Sequence, residues 1–211
     1  MPGPQRSASE PLPETKDVRA ELDALRTEVD RLAAELTDMR AHASLLESLA
    51  LEDPLTGLLN RRGFFRDLAR AIAYRARYRT SIGLLLADVD SFKAVNDRHG
   101  HEVGDKVLVH LAALLRNNVR ASDSVGRLGG DEFAVIIWQV DEASARQKAL
   151  SLEGIVGSTP FREGGLVLPL GSSIGFTLLE ERDTAEDALG RADHAMYARK
   201  TARKPAVAVT R

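Results

Sequence analysis

Residues 124–138 read SVGRLGGDEFAVIIW, and this stretch predicts the central feature of the fold. Two β-type runs flank Gly129 and Gly130, a dipeptide that favours tight turns with positive φ. We therefore expect a β-hairpin. A glycine pair at a hairpin tip often has only this conformational role, but here Asp131 and Glu132 follow it directly, so two carboxylates would lie at the tip.

The segments around the hairpin alternate between helix and strand patterns. The short apolar run 81–89 suits a buried strand, and Asp88 lies near its end. This alternation predicts an α/β or α+β sandwich, a sheet covered by helices with the hairpin turn at its rim. The predicted elements are helix 61–79, strand 81–89, helix 104–119, hairpin strands 124–127 and 133–138, helix 141–156, strand material 166–179 interrupted at Gly171, and helix 184–202.

The first 52 residues differ from the rest of the chain. Residues 1–16 hold four of the eight prolines and no periodic apolar pattern, which predicts a disordered lead-in. Over residues 17–52 apolar residues recur at spacings of four and three, which predicts a parallel coiled-coil dimer. A single amphipathic helix packed on the domain is the alternative. Asp53-Pro54 ends the pattern and begins a second domain, 53–211. The a and d positions are Leu22, Leu25, Val29, Leu32, Leu36 and Met39.

Composition narrows the class of protein. The 29 basic and 31 acidic residues nearly cancel, so neither nucleic-acid binding nor adhesion to an anionic membrane is expected. The absence of cysteine excludes disulfides and thiolate metal sites and agrees with a reducing compartment. No apolar run reaches the ~20 residues of a membrane span, and no secretory signal is evident. A cytoplasmic protein is expected.

Five motifs, in order, resemble those of the GGDEF family of diguanylate cyclases. The resemblance covers about residues 53–204 and implies a nucleotide-cyclase-like fold with a central, mainly antiparallel sheet. It also implies a homodimer in which each subunit holds one GTP and the two GTP molecules condense into cyclic di-GMP and two pyrophosphates. The motifs are DPLTGLLNRR (53–62), DVDSFKAVNDRHGHEVGD (88–105), RLGGDEFAVII (127–137), SSIGF (172–176) and RADHAMYARK (191–200).

The resemblance implies roles for individual residues. Asp88, the carbonyl of Val89 and Asp131 would bind Mg²⁺ or Mn²⁺, with two ions per active site. Asp131, followed by Glu132, is favoured as the group that deprotonates the attacking 3′-hydroxyl. An aspartate accepts from guanine N1–H and its amine, and an asparagine donates to O6 or N7, which favours GTP over ATP. The residues implied to bind GTP are Phe92 and Lys93 through backbone amides, Asn96, His101, Asp105, Gly129, Gly130 and Lys200.

Simpler explanations exist for some of these residues. An Asp-x-Asp pair such as Asp88 and Asp90 is often only a cap or turn, and the helix dipole alone favours a lysine at a position such as Lys200. The sequence departs from the family after this lysine, because the usual Gly-Arg-Asn is absent. Lys204 takes the place of the arginine, followed by Pro205, and a lysine cannot contact phosphate through a bidentate fork.

A second site is implied for the product. Arg120 and Asp123 resemble the family's RxxD inhibitory site, at which cyclic di-GMP binds back to the enzyme. A helix-terminal arginine and a cap aspartate are the simpler alternative. In some family members an arginine on the next helix completes this site from another subunit. Ser151 stands at that register here, so such a contact would come from elsewhere, for example from Arg146.

Three functions are therefore compared. An active cyclase is expected, with the coiled coil raising the local concentration of half-sites. A catalytically weak cyclic di-GMP receptor that signals through the coiled coil is the alternative. A purely structural dimeriser would show eroded metal ligands, which is not the case. The sequence does not indicate the activating signal. A protein regulator that binds the first 50 residues would be one source of this signal.

Overall fold

The structure, a computed structural model, describes residues 15–203. The chain divides into two compact units, residues 1–47 and 48–211, which are described separately. Helix α1 (Thr15–Leu51) includes the last two residues of the predicted lead-in. Residues 1–14 of that lead-in, and both Lys204 and Pro205, lie outside the described residues.

The apolar stripe of α1 is exposed in the single chain. Leu25, Val29 and Met39 are 57%, 62% and 67% exposed. Around the stripe, Arg31 forms ion pairs with Glu28 and Glu35 on the adjacent turns of the same helix. Such a helix has little stability alone, and it becomes more stable when a partner helix covers its apolar face. The coiled-coil dimer stays a prediction.

The second unit continues from the end of α1 as an alternation of helices and strands. Its elements are α2 (Arg61–Tyr78), β1 (Ile82–Val89), α3 (Phe92–His99), α4 (His101–Asn117), β2 (Ser124–Gly129), β3 (Glu132–Trp138), α5 (Glu142–Ser158), β4 (Phe161–Glu163), β5 (Leu166–Leu168), β6 (Ser172–Leu178) and α6 (Ala185–Arg203).

Four of these strands form a central antiparallel sheet in the order β2-β3-β1-β6. The predicted fold class, a mainly antiparallel sheet covered by helices, is confirmed. Alternate residues of β1 supply the two faces, as strand geometry requires. Leu85 and Ala87 pack in the cluster that includes α4 and α5, whereas Leu84 and Leu86 pack in the cluster that includes α2 and α6.

Helix α6 lies unusually close to the sheet at Gly175 of β6. A Cβ added to this glycine would lie 2.2 Å from both the carbonyl oxygen of Ala192 and the backbone nitrogen of Met196. Since both neighbours are backbone atoms, only glycine permits this approach. The contact sets the distance between β6 and the helix that carries Lys200.

The end of α1 is bonded to the start of α2 through Asn60. The backbone nitrogen of Asn60 donates to the carbonyl of Leu51 at 2.8 Å, and its side-chain nitrogen donates to the carbonyls of Ala50 and Glu52, each at 3.1 Å. The side-chain oxygen accepts from the amide of Gly63 at 2.9 Å and so caps α2. The Asn60 side chain thus bonds to the end of α1 and to the first turn of α2.

Two elements differ from the prediction. The polar run after β1 forms its own helix, α3, which has eight residues, none of them fully buried. Phe92 and Val95 pack partly against the core, and two such residues are too few to establish a helical period in the sequence. Gly100, with φ +84°, separates it from α4. The predicted strand material 166–179 is two strands, and β5 pairs with an unpredicted β4 across Gly164 and Gly165. That glycine pair was the available signal for a second hairpin.

Within residues 15–203, no helix combines the length and the apolar character needed to cross a membrane.

Candidate active site

Three carboxylates meet at one end of the sheet. Asp88, next to last in β1, is directly opposite Glu132, the first residue of β3. Asp131 precedes Glu132 in the turn, and its carbonyl accepts from the amide of Val89 at 3.4 Å. The β1–β3 pairing therefore brings together the predicted metal ligands and the predicted catalytic pair.

The glycines shape the turn that presents these carboxylates. Gly129 and Gly130 have φ of +149° and +53°, conformations that residues with a Cβ rarely adopt. Nothing within 4 Å would meet a Cβ at either position, so the backbone conformation, and not close packing, requires glycine here. Both are exposed, and their predicted contact with GTP is untested.

An arginine that the sequence reasoning did not select braces the turn. The Nε of Arg127 donates to the carbonyl of Gly130 at 2.9 Å, and its Nη1 contacts both carboxylate oxygens of Asp53 at 3.2 Å. Burial alone would raise the pKa of Asp53, but hydrogen bonds from Thr56 and the charge of Arg127 outweigh it and lower the pKa below its ordinary value. Asp53 and Arg127 each lie in one of the quoted family motifs, and this was the only sequence signal for their contact.

The carboxylates influence one another electrostatically. Burial, together with the charge of Asp88, raises the pKa of Asp131 above its ordinary value. Burial and the charges of Asp88 and Asp131 raise the pKa of Glu132 in the same way. Both groups thus move toward the range in which a carboxylate accepts a proton near neutral pH.

Lys200 on α6 reaches the same cluster. Its Nζ donates to Asp88 Oδ1 at 2.5 Å, and this hydrogen bond raises the pKa of Lys200 above its ordinary value. The neighbouring Arg199 forms an ion pair with Glu153 of α5, whose side chain is 2% exposed and also accepts from the amide of Ile174. Two successive side chains, Arg199 and Lys200, therefore bind the last part of α6 to α5 and β1.

The donor set suits a hard divalent cation. Asp88 and Asp131 provide carboxylate oxygens at the rim, and Mg²⁺ prefers one or two carboxylates combined with substrate phosphates and water. Among residues 15–203 no group of three or more His, Cys, Asp or Glu side chains is arranged to hold a metal. The residues fit a cation shared with a triphosphate better than one enclosed by the protein.

The predicted guanine-binding residues lie on α3 and α4. A Cβ added to Gly104, the residue before Asp105, would lie 1.9 Å from Asn96 Oδ1 and 3.3 Å from the ring of Phe92. The helix hairpin therefore brings Asn96 against α4 beside Asp105. The Oδ1 of Asn96 is buried and has no hydrogen-bond partner among the described residues. Such an acceptor is costly to leave unsatisfied.

The remaining residues of this motif are more peripheral. Lys93 and His101 are exposed on α3 and α4, and no contact with the carboxylates is seen for either side chain in the described region. Ser91, just before them, has φ +58°, an uncommon conformation for a residue with a Cβ. Asp90 accepts from Ser173 Oγ of β6 at 2.8 Å, so its carboxylate contacts the neighbouring strand.

The RxxD residues lie in a separate region of the unit. Arg120 is exposed and lines a cleft of about 550 Å³ together with Arg116. Asp123 Oδ2 accepts from the amide of Arg120 at 2.9 Å, and its Oδ1 accepts from the amide of Trp138 at 3.1 Å. Asp123 therefore closes the turn of residues 120–123 and connects it to the end of β3, and it caps no helix, because β2 begins at the next residue. Its carboxylate oxygens retain further lone pairs for a ligand.

The two residues weighed as partners of that site lie on α5. Ser151 is exposed. Arg146 lies over the ring of Phe176, with 5.1 Å between its Cζ and the ring centroid, and forms an ion pair with Glu142 at 3.3 Å. Arg146 thus packs on β6 in the single chain, and a role at an inhibitory site stays a prediction.

Comparison with known proteins agrees with this geometry. Residues 50–205 match the family model described as the diguanylate cyclase GGDEF domain. The chain belongs to the GGDEF domain family. Diguanylate cyclase DgcP of Pseudomonas aeruginosa is 34% identical over 187 residues, covering 89% of this chain and 28% of that protein. Diguanylate cyclase TpbB of the same species is 37% identical, covering 87% of this chain and 42% of that protein.

Solved structures with a GGDEF domain share the fold. The coiled coil and GGDEF domain of DgcB from Caulobacter crescentus, in complex with cyclic di-GMP, has a TM-score of 0.77 and 27% identity, covering 85% of this chain and 96% of that chain. Diguanylate cyclase SiaD from Pseudomonas aeruginosa, in complex with its activator SiaC, has a TM-score of 0.72 and 31% identity, covering 90% and 73%. Measured against the two curated cyclases, this GGDEF chain spans less than half of their lengths.

Proposed function

We propose that this chain is a diguanylate cyclase that condenses two GTP molecules into cyclic di-GMP and two pyrophosphates. The observation that carries the proposal is the pairing of Asp88 with Glu132, which places Asp131 beside them at the rim of the sheet. Family membership and the similarity to named cyclases support it.

The carboxylates have distinct roles in the proposed reaction. Asp88, Asp131 and the carbonyl of Val89 would hold Mg²⁺ or Mn²⁺, two ions per site, which supply charge neutralisation to the triphosphate. The 3′-oxygen of one GTP forms a bond to the α-phosphorus of the other, the α–β anhydride bond breaks, and pyrophosphate leaves. Asp131, with Glu132 as the second choice, takes the 3′-hydroxyl proton, in keeping with its raised pKa.

Guanine recognition is assigned to the α3–α4 hairpin. Asn96 and Asp105 would bind the base edge, with Asn96 donating to O6 or N7 through Nδ2, and the burial of its Oδ1 against Gly104 supports this orientation. The backbone amides of Phe92 and Lys93 would hold phosphates, and His101 would lie near the nucleotide. Lys200 would meet the triphosphate, and its contact with Asp88 supports this role. Gly129 and Gly130 would let the backbone approach the substrate.

Each subunit would supply half of the reaction site. Two GTP-loaded domains must meet, and a parallel coiled coil over residues 17–52 would raise their local concentration. The exposed apolar stripe of α1 supports such a homodimer. A relative forms a complex with an activator protein, which supports a protein regulator as a source of the signal. The first 50 residues are the region at which we expect such a regulator to bind. A cytoplasmic location remains a prediction from the cysteine-free sequence.

Product inhibition at Arg120 and Asp123 is the proposed control. The exposed guanidinium of Arg120 would bind guanine or phosphate, and Asp123 would accept from a guanine edge through its remaining lone pairs. The complex of a related GGDEF domain with cyclic di-GMP supports a product site in this family.

Incubation of the purified protein with GTP and Mg²⁺, followed by nucleotide chromatography, tests the proposal. Wild type should form cyclic di-GMP, Asp131→Ala should form none, and Arg120→Ala should accumulate more product than wild type at late times. Glu181→Gln, an exposed acidic position away from these residues, is the matched control and should resemble wild type. No product from wild type at any protein concentration would overturn the cyclase assignment, and binding of cyclic di-GMP without turnover would favour the receptor.

A further inference from the structure

The arginines of this chain are concentrated on helix α2. Between residues 61 and 79 the sequence contains seven arginines and a single acidic residue, although basic and acidic residues nearly cancel over the whole chain. The rest of the chain is therefore more acidic than the net charge of −2 indicates. The exposed arginines of this segment are Arg61, Arg62, Arg66, Arg70, Arg77 and Arg79.

The packing of α2 fixes the direction in which these arginines point. Phe64, Leu68 and Ala71 are completely buried in the cluster that α2 shares with the sheet and α6. At 3.6 residues per turn, four arginines lie within an arc of about 80° on the opposite side of the helix. This arginine stripe, which faces solvent, consists of Arg62, Arg66, Arg70 and Arg77.

The arginine stripe is straight and smooth. It extends about 22 Å along the helix axis, and its first three arginines follow one another at intervals of about 6 Å. Ala69 and Ala73, both exposed, lie between the arginines, and their side chains are too short to keep a flat surface away. Arg75 does not belong to the stripe, because its Nε donates to the carbonyl of Leu179 at 3.2 Å. A planar partner can therefore contact all four guanidiniums at once.

One carboxylate lies near the stripe. Asp67 accepts from Ser124 Oγ at 2.9 Å, and its other oxygen lies 3.7 and 3.8 Å from nitrogens of Arg66 and Arg70. The side chain of Asp67 is 21% exposed, whereas that of Arg70 is 75% exposed. A single, mostly buried carboxylate thus offsets part of the charge of two arginines, and the stripe retains an excess of positive charge at its surface.

Aromatic rings line one flank of the stripe. Tyr74 and Tyr78 are 42% and 55% exposed, with 4.5 Å between their ring centroids. The Cζ of Arg77 lies 5.3 Å from the ring centroid of Tyr78. Tyrosine combines an apolar ring with a polar hydroxyl, and such rings are enriched at the level of lipid headgroups. The last turns of α2 therefore offer aromatic rings and cations on one surface.

We propose that the arginine stripe of α2 binds the surface of an anionic lipid bilayer. The guanidiniums contact lipid phosphates, and the two tyrosine rings lie among the headgroups. Since the apolar residues of α2 are buried in the core, the contact is electrostatic and the helix does not insert. A nucleic acid fits less well, because a flexible polyanion longer than the stripe would extend onto the acidic remainder of the chain, whereas a bilayer contacts only the face turned toward it. This inference is independent of the proposed cyclase reaction.

Sedimentation of the full chain with vesicles tests the proposal. Vesicles of equal parts phosphatidylglycerol and phosphatidylcholine should bind the protein at low ionic strength, pure phosphatidylcholine vesicles should not, and about 0.5 M NaCl should release it. Arg70→Gln combined with Arg77→Gln retains helix propensity and should weaken binding about 25-fold, or about fivefold for each charge. The matched control, Arg98→Gln combined with Arg162→Gln, removes two exposed arginines from α3 and β4 and should bind like wild type.

Two results would overturn the inference. Equal weakening by the two pairs of substitutions would show that the attraction follows net charge and not this face of α2. Absence of binding to the anionic vesicles would refute the membrane contact, and retention of oligo(dT) by wild type would then identify a nucleic acid as the partner. Either result leaves the cyclase proposal untouched, because turnover of GTP is measured without lipid.

Discussion

The guanidinium of Arg127 lies 3.2 Å from both carboxylate oxygens of Asp53 and ties the turn after α1 to the tip of the GGDEF hairpin. Both side chains are largely buried, 15% and 17% exposed. Because Arg127 also binds the carbonyl of Gly130, the conformation of the turn at residue 53 bears on the position of Asp131.

Asp53→Asn should lower the free energy of unfolding by about 2 kcal/mol at neutral pH, since Arg127 then lacks a counter-charge. The pKa of Asp53 is lowered in the folded chain. Its stabilisation is therefore fully present above the unfolded value, about 3.9, and is lost as the pH falls through the lower folded value. Urea unfolding of both proteins over a pH series measures this difference, which should shrink only at acid pH.

Glu181→Gln provides the control for that series, because it removes an exposed carboxylate. It should change the free energy of unfolding by a few tenths of a kcal/mol at most. A stability difference for Asp53→Asn that is constant from neutral to strongly acid pH would contradict the role of the ionised carboxylate.

Gly104→Ala should raise the KM for GTP about tenfold with little change in stability. The new methyl would lie 1.9 Å from Asn96 Oδ1, and a side-chain amide can rotate away, but it then leaves the position proposed to meet guanine. Steady-state kinetics and thermal unfolding measure the two effects. In an Asn96→Ala background the same substitution should add almost nothing, and fully additive effects would show that it acts elsewhere.

Gly175→Ala and Gly154→Ala should change stability in opposite directions. At Gly175 the methyl would collide with the backbone of α6 at 2.2 Å, which should cost about 3 kcal/mol and move Lys200 away from Asp88. At Gly154, within α5, nothing lies within 4 Å of the new Cβ, so the higher helix propensity of alanine should stabilise by about 1 kcal/mol. Chemical denaturation of both variants provides the measurement, and equal effects would contradict the close approach of α6.

Replacement of Leu25, Leu32 and Leu36 by Asn should give monomers by light scattering. These residues lie on the predicted seam and are 57%, 49% and 47% exposed in the single chain. Turnover should fall and recover only at high protein concentration, since two half-sites must meet.

The control for the seam places Asn at Thr27, Ala34 and Ala41, which lie outside the a and d positions and impose a comparable helix-propensity cost. This variant should stay dimeric. Dimers that persist in the leucine variant would exclude the proposed interface.

The local features of this fold were predictable from sequence because they depend on nearby residues. The hairpin follows from a glycine pair between two β-type runs, and the heptads follow from spacing alone. The contact of Arg127 with Asp53 joins positions far apart in sequence, so only the folded chain reveals it. The same holds for the packing of Asn96 on Gly104, where a helix hairpin sets the register.

Other features were missed for different physical reasons. Helix α3 has only eight residues, and Phe92 and Val95 alone pack against the core, so its pattern carries little information about helix formation. The anchoring of Lys200 depends on Glu153, a buried acid whose pairing with Arg199 nothing in the local sequence indicates. Glu153 and Arg199 come together only because α5 and α6 pack against β6.

Asn60 has a consequence for how this domain can be recombined. Its three bonds to the carbonyls of residues 50–52 make the last helical turn before the Asp-Pro pair a structural part of the domain that follows. A fusion joined at residue 53 would retain every residue assigned to the reaction and yet discard the acceptors that Asn60 needs. Exchange of the N-terminal helix for another input module should therefore be made upstream of residue 48, with the native turn carried along.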